Sequence, residues 1–315
     1  MKIAFVGLGA MGRGMAGVLL RADYTVAGFD LSEAALSWLE GAGGTRALSA
    51  AAACDGADAL VLMVVNAAQA ESVLIRSGAL AALPEGALVL SCVTMPAADA
   101  ARLGEAVEAA GRLYLDAPVS GGTVGAEGGS LTFMASGSDA AWAAARPLLE
   151  TMGENLYRLG DRPGPGSTMK MVHQLAAGCN LAVAAEVMSF GAHLGLNPAQ
   201  VLEVLNRSAG GSWMIANRGP RMLTEGTDPK SAVDIFVKDL GIVLDAARAE
   251  RFAVPVSAAA LQVFLGASAA GLRSKKPATS FSSPQPPSFF FGAAGAASSS
   301  SLRQRSSFAA PNLAS

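Results

Sequence analysis

Short apolar runs alternate with alanine-rich helical patterns through the first half of the chain, and only helical patterns follow. The first run, Lys2–Val6, stands near the start of the 315-residue sequence, and similar runs recur at 59–65 and 88–93. Apolar runs of this length between helices are typical of parallel strands buried on both faces. The first half therefore predicts an α/β fold with a doubly wound, mostly parallel sheet.

The pattern changes at a segment rich in glycine and proline. Residues 155–159 read as the last strand, 160–166 as a linker, and a long helix is predicted to begin near Ser167. We therefore predict a first domain at residues 1–162 and an all-helical domain at 163–272, joined through that long helix. Residues 273–315 contain no acidic residue and are rich in serine, proline and alanine, which predicts a disordered tail.

The first strand runs into a glycine-rich turn that is followed by a helix. The turn has the spacing Gly-x-Gly-x-x-Gly, and its residues are Gly7, Leu8, Gly9, Ala10, Met11 and Gly12. In such a turn the glycines allow a sharp bend, a close approach of a pyrophosphate and a close packing of the helix, whose free N–H groups bind the phosphates. Glycine-rich turns are common, but the order strand, turn and helix predicts a dinucleotide-binding Rossmann domain.

An acidic residue stands where an adenosine ribose would need one. Asp30 ends the next predicted strand, about 20 positions beyond the turn. A carboxylate there accepts hydrogen bonds from the ribose and repels a 2′-phosphate, and the next residue, Leu31, is not basic. We therefore predict NAD rather than NADP, against the alternative that Asp30 is a surface residue at a strand end.

Polar residues and glycines follow three later strands. Asn66 and Thr94 stand at strand ends, where open parallel sheets bind their ligands, so both are predicted to line the cofactor cleft, although each could instead cap the following helix. Ser120, Gly121 and Gly122 begin a glycine-dense loop whose N–H groups and hydroxyl suit a carboxylate. The alternative for this loop is a flexible connection between strands.

A lysine stands one turn into the predicted long helix. Helical spacing places Lys170, His173 and Gln174 on one face. A lysine in a closed, desolvated site has a lowered pKa and can exchange a proton near neutral pH. A cation in the first turn is unfavourable against the helix dipole, so this position favours a chemical role over a solvated lysine. His173 could equally be a core histidine.

The composition excludes several classes of partner. The net charge is −2, which points to neither nucleic acid nor an anionic membrane. The three cysteines lie far apart without a Cys-x-x-Cys pair, which argues against a metal site or a disulfide framework and favours a cytoplasmic location. The mean hydropathy is positive, but glycines interrupt the apolar stretch 3–20 and polar residues interrupt 175–196. No membrane span is predicted.

Four motifs occur in the order expected of one family. They are Gly-Leu-Gly-Ala-Met-Gly at 7–12, Asp-Ala-Pro-Val-Ser-Gly-Gly at 116–122, Gly-x-Gly-x-x-x-Lys at 164–170 and Phe-Val-Lys-Asp-Leu at 236–240. With them the chain resembles the β-hydroxyacid dehydrogenase family over about residues 1–270. The resemblance implies a Rossmann domain, an all-helical domain and assembly into homodimers or homotetramers. It also implies Lys170 as the catalytic acid/base, Ser120-Gly121-Gly122 as the substrate-carboxylate loop, and Thr94 and Lys238 near the nicotinamide.

One branch of this family matches the helical part best. Most members have Asn where this chain has His173, whereas Lys-x-x-His-Gln at 170–174 and Ser-Trp-Met at 212–214 resemble the branch that oxidises L-threonate. The resemblance implies NAD-dependent oxidation of the C2 hydroxyl of this small hydroxy acid to 2-oxo-tetronate, with His173 as an added polar partner of the substrate. 3-Hydroxyisobutyrate and tartronate semialdehyde are the alternative substrates. A non-catalytic, cofactor-binding interaction protein is the alternative from another class.

The C-terminal segment departs from the family. Members normally finish with a Gly-rich turn, an acidic segment and a final helix, and residues 268–272 still fit that turn. The break after it indicates either a divergent extension or an out-of-frame ending of the gene, and we favour the second.

Overall fold

The computed structural model describes residues 1–224 and 232–272. The predicted disorder of residues 273–315 lies outside these ranges. Six parallel strands form one sheet in the order β3-β2-β1-β4-β5-β6. They are β1 (Lys2–Val6), β2 (Thr25–Phe29), β3 (Thr45–Arg46), β4 (Ala59–Leu62), β5 (Leu88–Ser91) and β6 (Leu113–Asp116). The strand order reverses between β1 and β4, which is where open α/β sheets bind their ligands.

Helices connect these strands and cover both faces of the sheet. They are α1 (Ala10–Arg21), α2 (Glu33–Gly41), α3 (Ala50–Cys54), α4 (Ala67–Glu71, continued by a π-helical turn at Ser72–Arg76), α5 (Ala79–Ala82) and α6 (Ala97–Ala109). Two apolar clusters pack against opposite faces: one includes Ile3 and Phe5, and the other includes Ala4 and Leu60. Alternate residues of β1 thus enter different clusters, as expected of a strand buried on both sides. The predicted α/β class is confirmed.

A second, smaller sheet follows the first. It consists of β7 (Val119–Ser120), β8 (Leu131–Ala135) and β9 (Gly153–Arg158), in which β7 pairs antiparallel and β9 pairs parallel with β8. The helix α8 (Asp139–Met152) connects β8 to β9. A bridge between Asp116 and Ser136 links this sheet to the end of β6.

The glycine-dense segment after Ser120 is not the loop that the sequence predicted. It forms the helix α7 (Gly122–Gly128), which packs closely on α1. A Cβ atom on Gly14 of α1 would lie 2.8 Å from Ala126 of α7, so the absence of side chains is what allows this contact. The glycines therefore serve close helix packing as well as backbone freedom.

The rest of the described chain is helical. Its helices are α9 (Pro165–His193), α10 (Pro198–Asn206), α11 (Trp213–Met222), α12 (Val233–Ala249) and α13 (Pro255–Ala267), which a π-helical turn at Ser268–Leu272 continues. The side chains of Asn197 and Ser212 accept hydrogen bonds from the first turns of α10 and α11. The rings of Phe236 and Phe264 stack at 5.1 Å, and Leu240 is fully buried beside them.

The helix α9 is apolar and 29 residues long, enough by length and composition to cross a membrane. Small residues let its neighbours come close: a Cβ atom on Gly178 would lie 2.8 Å from Leu240 of α12. The helices α11, α12 and α13 and the strand β8 pack on it. Its apolar character therefore fits a helix at the centre of this fold, and a core helix passes the same length test.

Candidate active site

The N-terminus of α9 is fixed to the end of β6 by a buried carboxylate. Asp116 Oδ2 accepts hydrogen bonds from the N–H groups of Gly164 (3.1 Å) and Ser167 (2.8 Å), and Oδ1 accepts from the hydroxyl of Ser167 (2.7 Å). An anion at a helix N-terminus is stabilised by the helix dipole and by free N–H groups. Asp116 is fully buried, and burial raises the pKa of its carboxyl group, which the hydrogen bonds lower in part.

The same contact explains the glycines before the lysine. A Cβ atom on Gly166 would lie 2.5 Å from the carbonyl oxygen of Met134 and 2.7 Å from that of Asp116. Gly164 has a φ of +118°, which L-residues with side chains rarely adopt. The Gly-x-Gly spacing therefore lets the helix start directly against β6 and β8, which sets the position of Lys170 one turn later.

Lys170 is buried, and the pKa of its amine is lowered toward neutral pH. Its side chain is only 6% exposed. Burial lowers the pKa of Lys170, the charge of Asp239 opposes this shift, and the nearby charge of Lys238 adds to it, which together give a pKa of about 8. A lysine in this state exchanges a proton readily at physiological pH.

A chain of hydrogen bonds connects the predicted carboxylate loop to α12 through α9. Ser120 Oγ lies 2.9 Å from His173 Nε2, and His173 Nδ1 lies 2.9 Å from Gln174 Oε1. Gln174 Nε2 donates to the carboxylate of Asp239. Burial first, and then the charge of Lys170, lowers the pKa of His173. Ser120 and His173 are thus joined by a hydrogen bond, and Lys170 lies close enough for its charge to act on His173.

A second lysine joins the helical part to the large sheet. Lys238 Nζ donates to the carbonyl oxygen of Thr94 at 3.1 Å and lies 2.8 Å from Asp239 Oδ1. The latter distance is that of an ion pair, but it is not aligned as a hydrogen bond, and Oδ1 has no hydrogen-bond donor among the described residues. Thr94 does not cap α6, whose N-cap is Pro96. The predicted pair Thr94 and Lys238 is therefore in direct contact.

A cavity of about 590 Å³ lies beside the Ser120–His173 hydrogen bond. Its lining includes Ser120, His173, Asn180, Trp213 and Asn217 from β7, α9 and α11. Hydroxyl, imidazole and amide groups thus face a space large enough for a small polar acid. Lys170 is not among the residues that line this cavity.

The glycine turn has the shape that a dinucleotide requires. Gly7 has a φ of +97°, and a Cβ atom on Gly12 would collide with the carbonyl oxygen of Gly7. A Cβ atom on Gly9 would have nothing within 4 Å, so the space beside this residue is open. The first helical hydrogen bond of α1 runs from Arg13 N–H to Gly9 O, which leaves the preceding N–H groups for a ligand. The turn therefore fits a pyrophosphate.

The carboxylate of Asp30 is hydrogen-bonded to the glycine turn. Its Oδ2 accepts from Leu8 N–H at 2.7 Å, and its Oδ1 accepts from Ser32 N–H at 2.8 Å. Each carboxylate oxygen can accept a further hydrogen bond. Asn66 caps α4 by accepting from Gln69 N–H at 2.9 Å, so the capping alternative applies to this residue.

Three residues of this region were not recognised as functional from the sequence. Asp116 and Asp239 appeared there only as letters of motifs, and Arg218 was given no role. Arg218 lies beside the carboxylate loop, with Nη2 3.8 Å from the place of a Cβ atom on Gly122, and its buried Nε has no partner among the described residues. Burial lowers the pKa of Arg218. For Asp116 and Asp239, the available signal was a charged residue inside a motif.

Two family models match the chain over most of its length. Residues 2–160 match the NAD binding domain of 6-phosphogluconate dehydrogenase. Residues 164–279 match the NAD-binding of NADP-dependent 3-hydroxyisobutyrate dehydrogenase.

Full-length relatives show the same likeness. L-threonate dehydrogenase of Cupriavidus necator is 45% identical over 271 residues, which cover 86% of this chain and 91% of that protein. L-threonate dehydrogenase of Escherichia coli strain K12 is 42% identical, covering 85% and 90%. The crystal structure of a 3-hydroxyisobutyrate dehydrogenase from Salmonella typhimurium matches with a TM-score of 0.83 at 42% identity, covering 87% of this chain and 96% of that one.

Proposed function

The chain belongs to the β-hydroxyacid dehydrogenase family, related to 3-hydroxyisobutyrate dehydrogenase, and on that premise we propose that it oxidises L-threonate at C2 with NAD. Membership of the family makes it an oxidoreductase that acts on a small hydroxy acid with a nicotinamide cofactor. Nothing in the comparisons supports the non-catalytic alternative. We take residues 1–162 as the cofactor domain and 163–272 as the substrate domain.

The buried Lys170 is the observation that carries this proposal. With a pKa of about 8, about a tenth of the amine is neutral at pH 7 and about half at pH 8. The neutral amine accepts the proton of the C2 hydroxyl. A nicotinamide cofactor bound along the glycine turn would supply the acceptor for the hydride of C2. Lys170 then holds the proton as an ammonium, which Asp239 stabilises and Lys238 opposes. The carboxylate of the substrate is bound by the N–H groups of Gly121 and Gly122 and by Arg218 beside them.

The cofactor preference rests on Asp30. Its carboxylate would repel a 2′-phosphate, and the guanidinium of Arg46 on the neighbouring strand is engaged by both oxygens of Glu33. We therefore assign NAD over NADP, with Gly7 to Gly12, Asn66, Thr94 and Lys238 along the cofactor cleft.

Asp30→Asn is expected to weaken the preference for NAD over NADP by about tenfold or more, since one charge-assisted hydrogen bond is worth about 1.5–3 kcal/mol. The amide oxygen still accepts from Leu8 N–H, which keeps the contact with the glycine turn, whereas the contact with Ser32 N–H and the repulsion of the phosphate are lost. The ratio of kcat/KM for the two cofactors measures this effect. A wild-type preference for NADP would contradict the assignment, as would an unchanged ratio in the variant.

The substrate assignment follows the relatives named L-threonate dehydrogenase and the polar lining of the cavity. The solved structure with 42% identity is named a 3-hydroxyisobutyrate dehydrogenase, so that acid is the second candidate, and tartronate semialdehyde is the third. Initial rates of NADH formation decide between the two acids. We expect kcat/KM for L-threonate to exceed that for 3-hydroxyisobutyrate by about tenfold or more, since unpaired polar groups cost about 1–3 kcal/mol. Equal values or the reverse order would contradict it.

His173→Asn tests the polar partner that distinguishes the two acids. The shorter amide does not span the 2.9 Å contacts of His173 on both sides. We expect kcat/KM to fall by about tenfold for L-threonate and by less than threefold for 3-hydroxyisobutyrate, as one lost hydrogen bond predicts. Equal losses for both acids would count against a substrate role of His173.

The assembly is proposed as a homodimer or homotetramer in the cytoplasm. Val172, Val183 and Phe190 on α9 are exposed, as are several apolar residues of the helices around it. An apolar face of this kind supports pairing with a second copy of the chain. The three cysteines are buried and free, which fits a reducing compartment.

A further inference from the structure

A chain of hydrogen bonds runs from Asp239 through Gln174 and His173 to Ser120. At the Asp239 end of this chain, only one assignment of donor and acceptor is possible. A carboxylate accepts hydrogen bonds and does not donate them, so the amide nitrogen of Gln174 must face Asp239. The amide oxygen of Gln174 then faces His173 Nδ1. Because an amide oxygen accepts only, His173 Nδ1 carries a proton.

The state of the other ring nitrogen follows from the charges around it. Lys170 lies on the same helix, and the carboxylate of Asp239 is hydrogen-bonded to Gln174 and not to His173 itself. Burial and the charge of Lys170 lower the pKa of His173, whereas the hydrogen bond with Gln174 and the charge of Asp239 raise it in part. The net shift is downward, which favours the neutral ring. A neutral ring with a proton on Nδ1 has a lone pair on Nε2, so Nε2 accepts the hydroxyl proton of Ser120 at 2.9 Å.

We propose that Asp239, Gln174 and His173 are positioning residues that turn the hydroxyl proton of Ser120 toward His173, so that Ser120 Oγ meets the substrate as a hydrogen-bond acceptor and selects acids with a second hydroxyl group. This inference rests on the proposed oxidation of a hydroxy acid. It also changes the role assigned to Ser120 from its sequence, because an oxygen with its proton turned away does not bind a carboxylate. The carboxylate of the substrate is then bound by the backbone N–H groups of Gly121 and Gly122 and by Arg218.

The orientation of the Ser120 hydroxyl determines which acids bind well. A hydroxyl group of the acid donates to Ser120 Oγ, whereas a hydrogen or methyl group in its place leaves that oxygen unpaired. A buried acceptor without a donor is costly, and sites built to bind a hydroxyl reject analogues that lack it. This chain of hydrogen bonds from Asp239 through Gln174 and His173 to Ser120, the relay, therefore acts on selectivity between acids. It acts separately from the charge of Asp239, which stabilises the ammonium of Lys170.

Histidine NMR tests the relay without any turnover. The chain has two histidines, and the second, His193, is exposed at the end of α9, so a His193→Gln variant assigns both ring signals. Ring ¹⁵N shifts at slightly alkaline pH should show His173 neutral, with the proton on Nδ1. In Gln174→Met, where nothing fixes Nδ1, the ring should become a mixture of tautomers. A charged His173, a proton on Nε2 in the wild type, or an unchanged ring in Gln174→Met would overturn the proposal.

Kinetics with deoxy analogues test the selectivity. Wild-type enzyme should lose tenfold or more in kcat/KM when L-threonate is replaced by its 3-deoxy or its 4-deoxy analogue. For the analogue with the larger loss, Ser120→Ala should reduce that ratio to below threefold, and Gln174→Met should reduce it in part. Gln200→Met, a matched change of an exposed amide on α10, should leave it unchanged. Equal ratios in the wild type and Ser120→Ala would overturn the role of Ser120.

The two tests separate this proposal from the assignment of the substrate. If L-threonate is not oxidised but the NMR result is as expected, the substrate assignment is wrong and the proposed relay is retained. The series of deoxy analogues is then measured with the acid that is oxidised. If L-threonate is oxidised but His173 is charged or carries its proton on Nε2, the oxidation stands and the relay is wrong.

Discussion

Lys170→Ala is expected to lower kcat for the oxidation of L-threonate by about 10²–10⁴-fold, the usual contribution of a positioned acid or base. The side chain is buried, and its pKa of about 8 is set by the loss of solvent and by the neighbouring charges. Binding of NAD should change by less than about twofold, because the glycine turn joins β1 to α1 and Asp30 directly follows β2, whereas Lys170 lies on α9. Stopped-assay rates and a titration of the cofactor measure the two effects.

Lys170→Arg distinguishes proton transfer from the presence of a positive charge. Arginine keeps the charge and does not give up its proton in proteins, so this variant should be nearly as inactive as Lys170→Ala. Lys2→Ala, at the far end of β1 from the glycine turn, is the matched control and should retain full activity. Retention of more than a tenth of the wild-type kcat in either Lys170 variant would remove Lys170 from the mechanism.

Asp116→Ala is expected to have the largest effect on stability. The substitution leaves the N–H groups of Gly164 and Ser167 and the hydroxyl of Ser167 buried without their acceptor. Each such group costs about 1–3 kcal/mol. The raised pKa of Asp116 indicates that burial of its charge already offsets part of this gain. We therefore expect a loss of roughly 2–4 kcal/mol and a fall in Tm on the order of 10 °C.

Asp116→Asn is the conservative comparison for this site. The amide oxygen still accepts from the two backbone N–H groups, and the amide nitrogen can donate to Ser167 Oγ, so the loss should be about half as large. Asp161→Ala, in the exposed segment before α9, should leave Tm unchanged. If Asp116→Ala melts within about 2 °C of the wild type, this carboxylate does not hold the helix.

Apolar runs between helical patterns were enough to predict the α/β class and most strands of the large sheet, but not the short strand β3 or the strand order. The strand β1, the glycine turn and α1 follow from an apolar run, three glycines and a helical pattern, which depend on local chain geometry. The face shared by Lys170, His173 and Gln174 follows from helical spacing alone. The seven-residue helix α7 was missed because its sequence is rich in glycine, and its packing on α1 overrides that weak propensity.

The contacts between distant segments could not be read from the sequence. Asp116 and Ser167 are 51 positions apart, and Gln174 and Asp239 are 65 apart, so no periodicity connects them. Nor does a sequence give the degree of burial that moves the pKa of Lys170, which depends on how α9 and α12 meet. The residue types at the site were thus predictable, whereas their electrostatics required the fold.

The pH dependence of kcat/KM in both directions is the most direct test of proton transfer by Lys170. Oxidation needs the neutral amine, so kcat/KM should rise with pH and level off above a pKa of about 8. Reduction needs the ammonium, so kcat/KM should be constant below that pKa and fall above it. The pKa of His173 is shifted downward, away from this midpoint. A profile that is flat through this range, or that has the same direction for oxidation and reduction, would contradict the account.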